Sequence, residues 1–175
     1  MTQLLMRRPD LEGLGPAPAL PAGYVLRSAV PDDAPGLAVV LAKAFGDSSW
    51  DAARVMRELV DDPAVHETFV VLCGLTPVAT ASVQTQPENY PDTGVLHWVA
   101  SDPEHRGKKL GAIVSTAVLR EFVDMGLRSA VLATDDERLP AIKTYLSLGF
   151  EPVFVDESHR PRWVNVFATL GRQKT

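Results

Sequence analysis

The stretch Val95-Leu96-His97-Trp98-Val99-Ala100-Ser101-Asp102-Pro103-Glu104-His105-Arg106-Gly107-Lys108-Lys109-Leu110-Gly111 decides how this chain is read. A short apolar run breaks into a loop of cations and glycines, and beyond the loop the apolar period changes. Leu110, Ile113, Val114, Ala117, Val118, Phe122 and Met125 follow the three-and-four rhythm that gives a helix one core-facing stripe. Gly126 offers a left-handed C-terminal cap. The segment predicts a strand, a loop and a helix in succession.

Arg106, Lys108 and Lys109 fall at the start of that helix, where the macrodipole is positive and each cation costs roughly 0.3–1 kcal/mol. Unpaired backbone N–H groups at the same place, loosened by Gly107 and Gly111, form a cradle for phosphate or pyrophosphate. A basic run is ordinarily a solvated turn. Here it combines with glycines and helix position on an acidic chain, whose formal net charge is −5 and whose pI is about 5.3, so an anion site is the better reading. Dinucleotide and nucleoside-triphosphate loops do not fit, because neither Gly-x-Gly-x-x-Gly after a first strand nor Gly-x4-Gly-Lys-Ser/Thr occurs.

Residues 96–111 resemble the acetyl-CoA-binding motif of the GCN5-related N-acetyltransferase (GNAT) family, whose loop reads Arg/Gln-x-x-Gly-x-Gly/Ala. Arg106 and Gly111 match the first and last places, while Lys109 stands where the middle glycine is usual. Either its side chain crowds the pyrophosphate or it keeps the backbone conformation and adds a cation. The resemblance implies acetyl-CoA as cosubstrate, held by Val99, Ala100 and Ser101 of the strand and by Arg106, Gly107, Lys108, Lys109, Leu110, Gly111 and Ala112. It further implies a mixed α/β fold, α+β in character: a central, mostly antiparallel sheet with helices on both faces.

The rest of the chain suits that plan. At 175 residues, 46% of them hydrophobic, one domain over 23–175 is expected behind a Pro/Gly-rich lead-in, 1–22. Pro9, Pro16, Pro18 and Pro21 with Gly13 and Gly15 argue against helix and central strand there, although Leu4, Leu5, Leu11, Leu14 and Leu20 could pin the segment across the domain. Strands are expected at 24–29, 68–73, 78–84, 130–133 and 151–155, with helices at 34–45, around 52–59 and at 137–149. Ser82, Thr80 and Gln84 alternate with Val83, Ala81 and Ala79, giving one strand a polar face suited to a cleft. Trp163, Val166, Phe167 and Leu170 have helical spacing between Pro161 and Gly171, so a closing helix is expected where the family plan ends in a strand.

Several classes are set aside. No segment approaches the ~20 apolar residues of a membrane span, and residues 1–8 lack a signal-peptide core, so a cytoplasmic protein is expected. The single cysteine, Cys73, cannot form an internal disulfide. His66, His97, His105 and His159 are scattered, which argues against a metal. The basic cluster is short and lacks interleaved aromatics, which argues against nucleic acid.

Acetyl transfer to an amine needs groups that handle two protons. Ala141, Tyr145, Gly149 and Phe150 match the family's Ala-x-x-x-Tyr-x-x-x-Gly-Phe segment, which implies that Tyr145 is the general acid. A phenol of pKa near ~10 can protonate a departing thiolate. For the base, His97 is suitable by type, with Asp135 and Asp136 as rivals beyond a strand's C-terminal end. Trp50 and Tyr90 are the candidate substrate-binding residues. Asp47, Asp51, Glu88 and Asp92 point to a small cationic amine as partner. The expected function is N-acetyl transfer from acetyl-CoA to a primary amine, directly in a ternary complex, and a homodimer is compatible with it. The alternatives are a non-catalytic acyl-CoA-binding module and a protein or peptide N-acetyltransferase.

Overall fold

The apolar run 69–73 and the alternating run 78–84 become parts of long buried strands, and three-and-four rhythms become helices, in a computed structural model that describes residues 3–171. The strands are β1 (Leu4–Arg8), β2 (Tyr24–Ser28), β3 (Val65–Cys73), β4 (Thr76–Thr85), β5 (Thr93–Ser101), β6 (Ser129–Thr134) and β7 (Glu151–Val153). They form one sheet in the order β2-β3-β4-β5-β6-β1-β7. Only the β5–β6 pair is parallel. The helices are α1 (Ala34–Phe45), α2 (Ala52–Val55, continued by a π-helical turn, Met56–Val60), α3 (Leu110–Asp124), α4 (Leu139–Ser147) and α5 (His159–Thr169).

Strand alternation sends neighbouring side chains into two cores. Val70 and Leu72 pack with Leu37, Leu41, Val55 and Leu59 of the α1–α2 layer. Val71 packs on the other face with Val114 and Phe122 of α3, Ile142 of α4 and Trp163 of α5. Helices therefore cover both faces. Gly94 is where α3 comes closest to β5: a Cβ there would lie 2.5 Å from the Phe122 ring, so this strand position has no room for a side chain.

The sheet opens where the site lies. The β5–β6 ladder runs only from Thr93↔Ser129 to Val95↔Val131. Beyond it β6 pairs with β1 and β5 pairs with β4, so residues 96–101 keep an open edge. A bulge sits on that edge: Thr80 faces Ala100 and Ser82 faces His97, leaving Trp98 and Val99 opposite Ala81 alone. Trp98 takes φ 45°, rare for an aromatic residue.

Four expectations change. Leu4–Arg8 is a strand between β6 and β7, with Leu4 and Met6 fully buried; period-2 alternation outweighs the nearby prolines, the first of which, Pro9, lies just past the strand. The polar face of β4 is sealed, because the Thr80 hydroxyl donates to the Phe69 carbonyl and Ser82 bonds Thr68. Helix α4 begins at Leu139, with Pro140 in its first turn, and β7 ends at Val153. The closing helix is present, capped by Gly171 at φ 68°. Residues 1–2 and 172–175, which fall within the lead-in and closing segments read from sequence, lie outside the described residues. Among the described residues no helix is long and apolar enough to cross a membrane.

Candidate active site

The loop after β5 is held from both sides. Asp102 caps the 3-10 turn Pro103–His105 by accepting from the Glu104 N–H at 3.0 Å. Lys43, from the last turn of α1, donates to Asp102 and Glu104, each at 2.8 Å. The Tyr24 hydroxyl is hydrogen-bonded to His105 Nδ1 at 2.7 Å, which ties the loop to β2. Gly107 then turns at φ 80° and Lys109 at φ 57°, ψ 26°.

Lys109 is the first residue before α3 and holds the left-handed conformation that glycine takes freely, at a cost of about 1–2 kcal/mol. Lys109 thus keeps the glycine-like backbone conformation. Nothing would meet a Cβ at Gly111 within 4 Å, so the mouth of the helix is open.

Loop, open edge and α4 surround one cavity of about 690 Å³. Val99, Ala100 and Ser101 line it, as do Arg106, Gly107, Lys109, Leu110, Gly111 and Ala112, and Tyr145 enters from α4. The cofactor and acid candidates are thereby brought together, apart from Lys108, which is exposed and does not line the cavity. Tyr145 is 3% exposed, and its hydroxyl meets no hydrogen-bond partner among the described residues. Burial pushes its pKa up to about 12, against the opposing field of Arg138.

The other candidates are placed elsewhere. His97 is half-buried on β5, its ring 4.7 Å from that of Trp98, and is not part of the cavity lining. Burial lowers its pKa, and the charges of Asp62 and Glu58 oppose the shift. Trp50 is 6% exposed, packed edge-on against Trp98 at 4.8 Å with the Arg54 guanidinium 3.9 Å over its ring, which makes it a core residue. Tyr90 is half-buried in the turn before β5, outside the cavity. Asp136 is engaged by Arg162 through two nitrogens, and Asp135 accepts from Gln3 at 3.2 Å.

Sequence reasoning missed Lys43, His105, Glu137 and Arg138, all of which line the cavity. Arg138 was detectable: a cation just before a helix start is the same electrostatic mismatch that drew attention to the loop. Lys43 was not, because its partner Asp102 is distant in sequence.

The model of the acetyltransferase (GNAT) family matches residues 39–150. The chain belongs to that family. Its GNAT relatives include the mycothiol acetyltransferase of Thermobispora bispora, 34% identical over 167 residues, covering 89% of this chain and 55% of that protein. A GCN5-related N-acetyltransferase from Sphaerobacter thermophilus superposes with TM-score 0.64 at 19% identity, over 87% of this chain and 50% of the other. One from Kribbella flavida does so with TM-score 0.60 at 21% identity, over 87% and 55%. These structures share the GNAT fold. The chain spans about half the length of the curated relatives it matches.

Proposed function

We propose that this GNAT protein transfers an acetyl group from acetyl-CoA to a small primary amine, directly in a ternary complex. One observation carries the reading: the cationic loop at the start of α3 and the Tyr145 side chain, 3% exposed, line the same cavity.

Acetyl-CoA brings the thioester carbonyl and a thiol leaving group. The amides around Gly107 and Gly111, with Arg106 and Lys109 beside them, supply N–H donors and positive charge for its pyrophosphate. The open edge of β5, apart from the Val99 carbonyl that Arg138 occupies, offers backbone groups to its extended arm. When the amine nitrogen bonds to the carbonyl carbon, the carbon–sulfur bond breaks and Tyr145 delivers its hydroxyl proton to the sulfur. A phenol raised to about 12 stays protonated at neutral pH and so holds the proton that the departing sulfur takes. His97, neutral at pH 7 because burial lowers its pKa, takes the ammonium proton through water in this scheme. Glu137, which lines the cavity, is the competing base.

The case for a cationic acceptor narrows. Asp47 is engaged by Arg54 at 2.8 Å, Asp51 caps α2 by accepting from the Arg54 N–H, and neither Glu88 nor Asp92 lines the cavity, so none of the four carboxylates supports it. The test is calorimetric binding of acetyl-CoA followed by CoA release with a panel of amines and peptides. Micromolar binding with turnover that collapses in Tyr145→Phe supports the reading. Binding without CoA release would instead make the protein an acyl-CoA-binding module, and activity on peptides alone a protein acetyltransferase.

A further inference from the structure

Arg138 is the cavity-lining cation that the anion loop does not explain. It lies at the start of the nine-residue helix α4, beside the mid-strand residue Val99 and away from the Arg106–Gly111 loop in sequence. One nitrogen donates to the Val99 carbonyl at 3.0 Å, and the guanidinium lies 4.4 Å over the face of Phe45. The single bond to Val99 leaves most of the five guanidinium N–H donors uncommitted.

Its carboxylate neighbours do not take it up. Arg27, Arg54 and Arg162 each have an acidic partner, whereas Arg138 forms no ion pair among the described residues, although Glu137 is adjacent. A cation at a helix N-terminus is electrostatically misplaced unless an anion joins it. The Tyr145 side chain, 3% exposed, lines the same cavity, which puts the guanidinium and the proposed acid in one site.

We propose that Arg138 selects the acceptor, and that the acceptor is a small amine which also carries a carboxylate, an α-amino acid or a close analogue. This deepens the acetyl-transfer reading and rests on it. A planar carboxylate meets the guanidinium edge through two parallel N–H bonds, which fixes the acceptor at one end while its amine reaches the thioester beside Tyr145. A second positive charge on the acceptor would be repelled by the same group, so polyamines are poor substrates.

The test compares paired acceptors, each amino acid against the amine that lacks its carboxylate, in the unmodified protein, in Arg138→Gln and in Arg138→Lys. We expect kcat/KM to favour the carboxylate-bearing member by about tenfold or more, the usual scale of a charged hydrogen bond. Arg138→Gln should erase that ratio, with the acceptor KM rising far more for the carboxylate-bearing member of each pair than for its partner amine, and Arg138→Lys should restore part of it. Turnover with no preference between pair members overturns the inference and leaves acetyl transfer standing. The second arm is calorimetry, with CoA present, of an N-acetyl amino acid against its amide. Tighter carboxylate binding that Arg138→Gln abolishes supports the inference even if no amine is turned over, and equal binding overturns it. Thermal unfolding of both variants confirms that they are folded.

Discussion

Lys43 Nζ lies 2.8 Å from Asp102 Oδ2, and this contact ties the last turn of α1 to the first residue of the anion loop. Asp102 is 8% exposed, so its carboxylate relies on that ammonium and on the Glu104 N–H in place of water. Replacing Lys43 by Ala should lower stability, because the buried Asp102 carboxylate loses its ammonium partner. The loop should loosen with it, and the acetyl-CoA KM should rise severalfold. Urea unfolding and initial rates check the two effects; an unchanged KM would show that the tether does not shape the loop.

Lys109→Gly separates backbone strain from charge. Glycine relieves the left-handed conformation at φ 57°, a gain of about 1 kcal/mol, partly offset by its freedom in the unfolded chain. The substitution also removes one cation from the pyrophosphate site. We expect a raised unfolding temperature together with a shallower salt dependence of acetyl-CoA binding. Calorimetry at several salt concentrations decides whether the side chain contributes charge or only obstructs.

Gly94→Ala should be severely destabilising for so small a change. The new methyl would lie 2.5 Å from the ring of the fully buried Phe122, and neither strand nor helix can yield without opening the α3 face of the core. Overpacking of this kind costs typically about 1–3 kcal/mol. The companion variant Phe122→Leu should recover part of the loss in a double-mutant cycle, and failure to recover would place the strain elsewhere.

The pH profile distinguishes the two candidate bases. Burial holds His97 below its ordinary 6.5, so its folded-state proton is lost earlier than in the unfolded chain. If His97 takes the ammonium proton, kcat/KM rises with pH with a midpoint below 6.5 as far as this group is concerned. His97→Gln should abolish that limb, and Glu137→Gln should leave it. Tyr145 stays protonated to about 12 and adds no alkaline limb in the accessible range. Tyr145→Phe should lower kcat by about 10²–10⁴-fold without moving the acid limb.

Acid should weaken the fold through Asp33 and Asp136. Hydrogen bonds from Arg27 and from Arg162 depress these carboxyls below their usual value of 3.8. Each contributes stability that is complete above the unfolded pKa and is lost as pH falls through the lower folded one. Unfolding followed from pH 6 down to 2 should therefore show the steepest loss below about pH 4, and Asp33→Asn should flatten that part of the curve.

Local chemistry wrote much of this protein into its sequence. The rhythm of α3, the glycines and cations of its leading loop, and the Trp163–Leu170 helix all follow from periods and caps that depend on near neighbours. The loop residues and Tyr145 were legible for the same reason, since each sits in a short segment whose pattern is self-contained. Strand β1 was hidden, because Leu4–Arg8 forms a strand only by pairing with β6 and β7, well over a hundred residues away. The parting of β5 from β6 was likewise invisible, being a property of two registers and not of either strand. His97 and Trp50 were candidates by residue type, and packing around Trp98 keeps both out of the cavity lining, which leaves His97 a role only through water, while Arg138 and Lys43 line it. Local hydrogen bonds and apolar spacing choose the elements, but which side chains meet across a cavity depends on how the whole sheet closes, and that is set by long-range contacts no single segment contains.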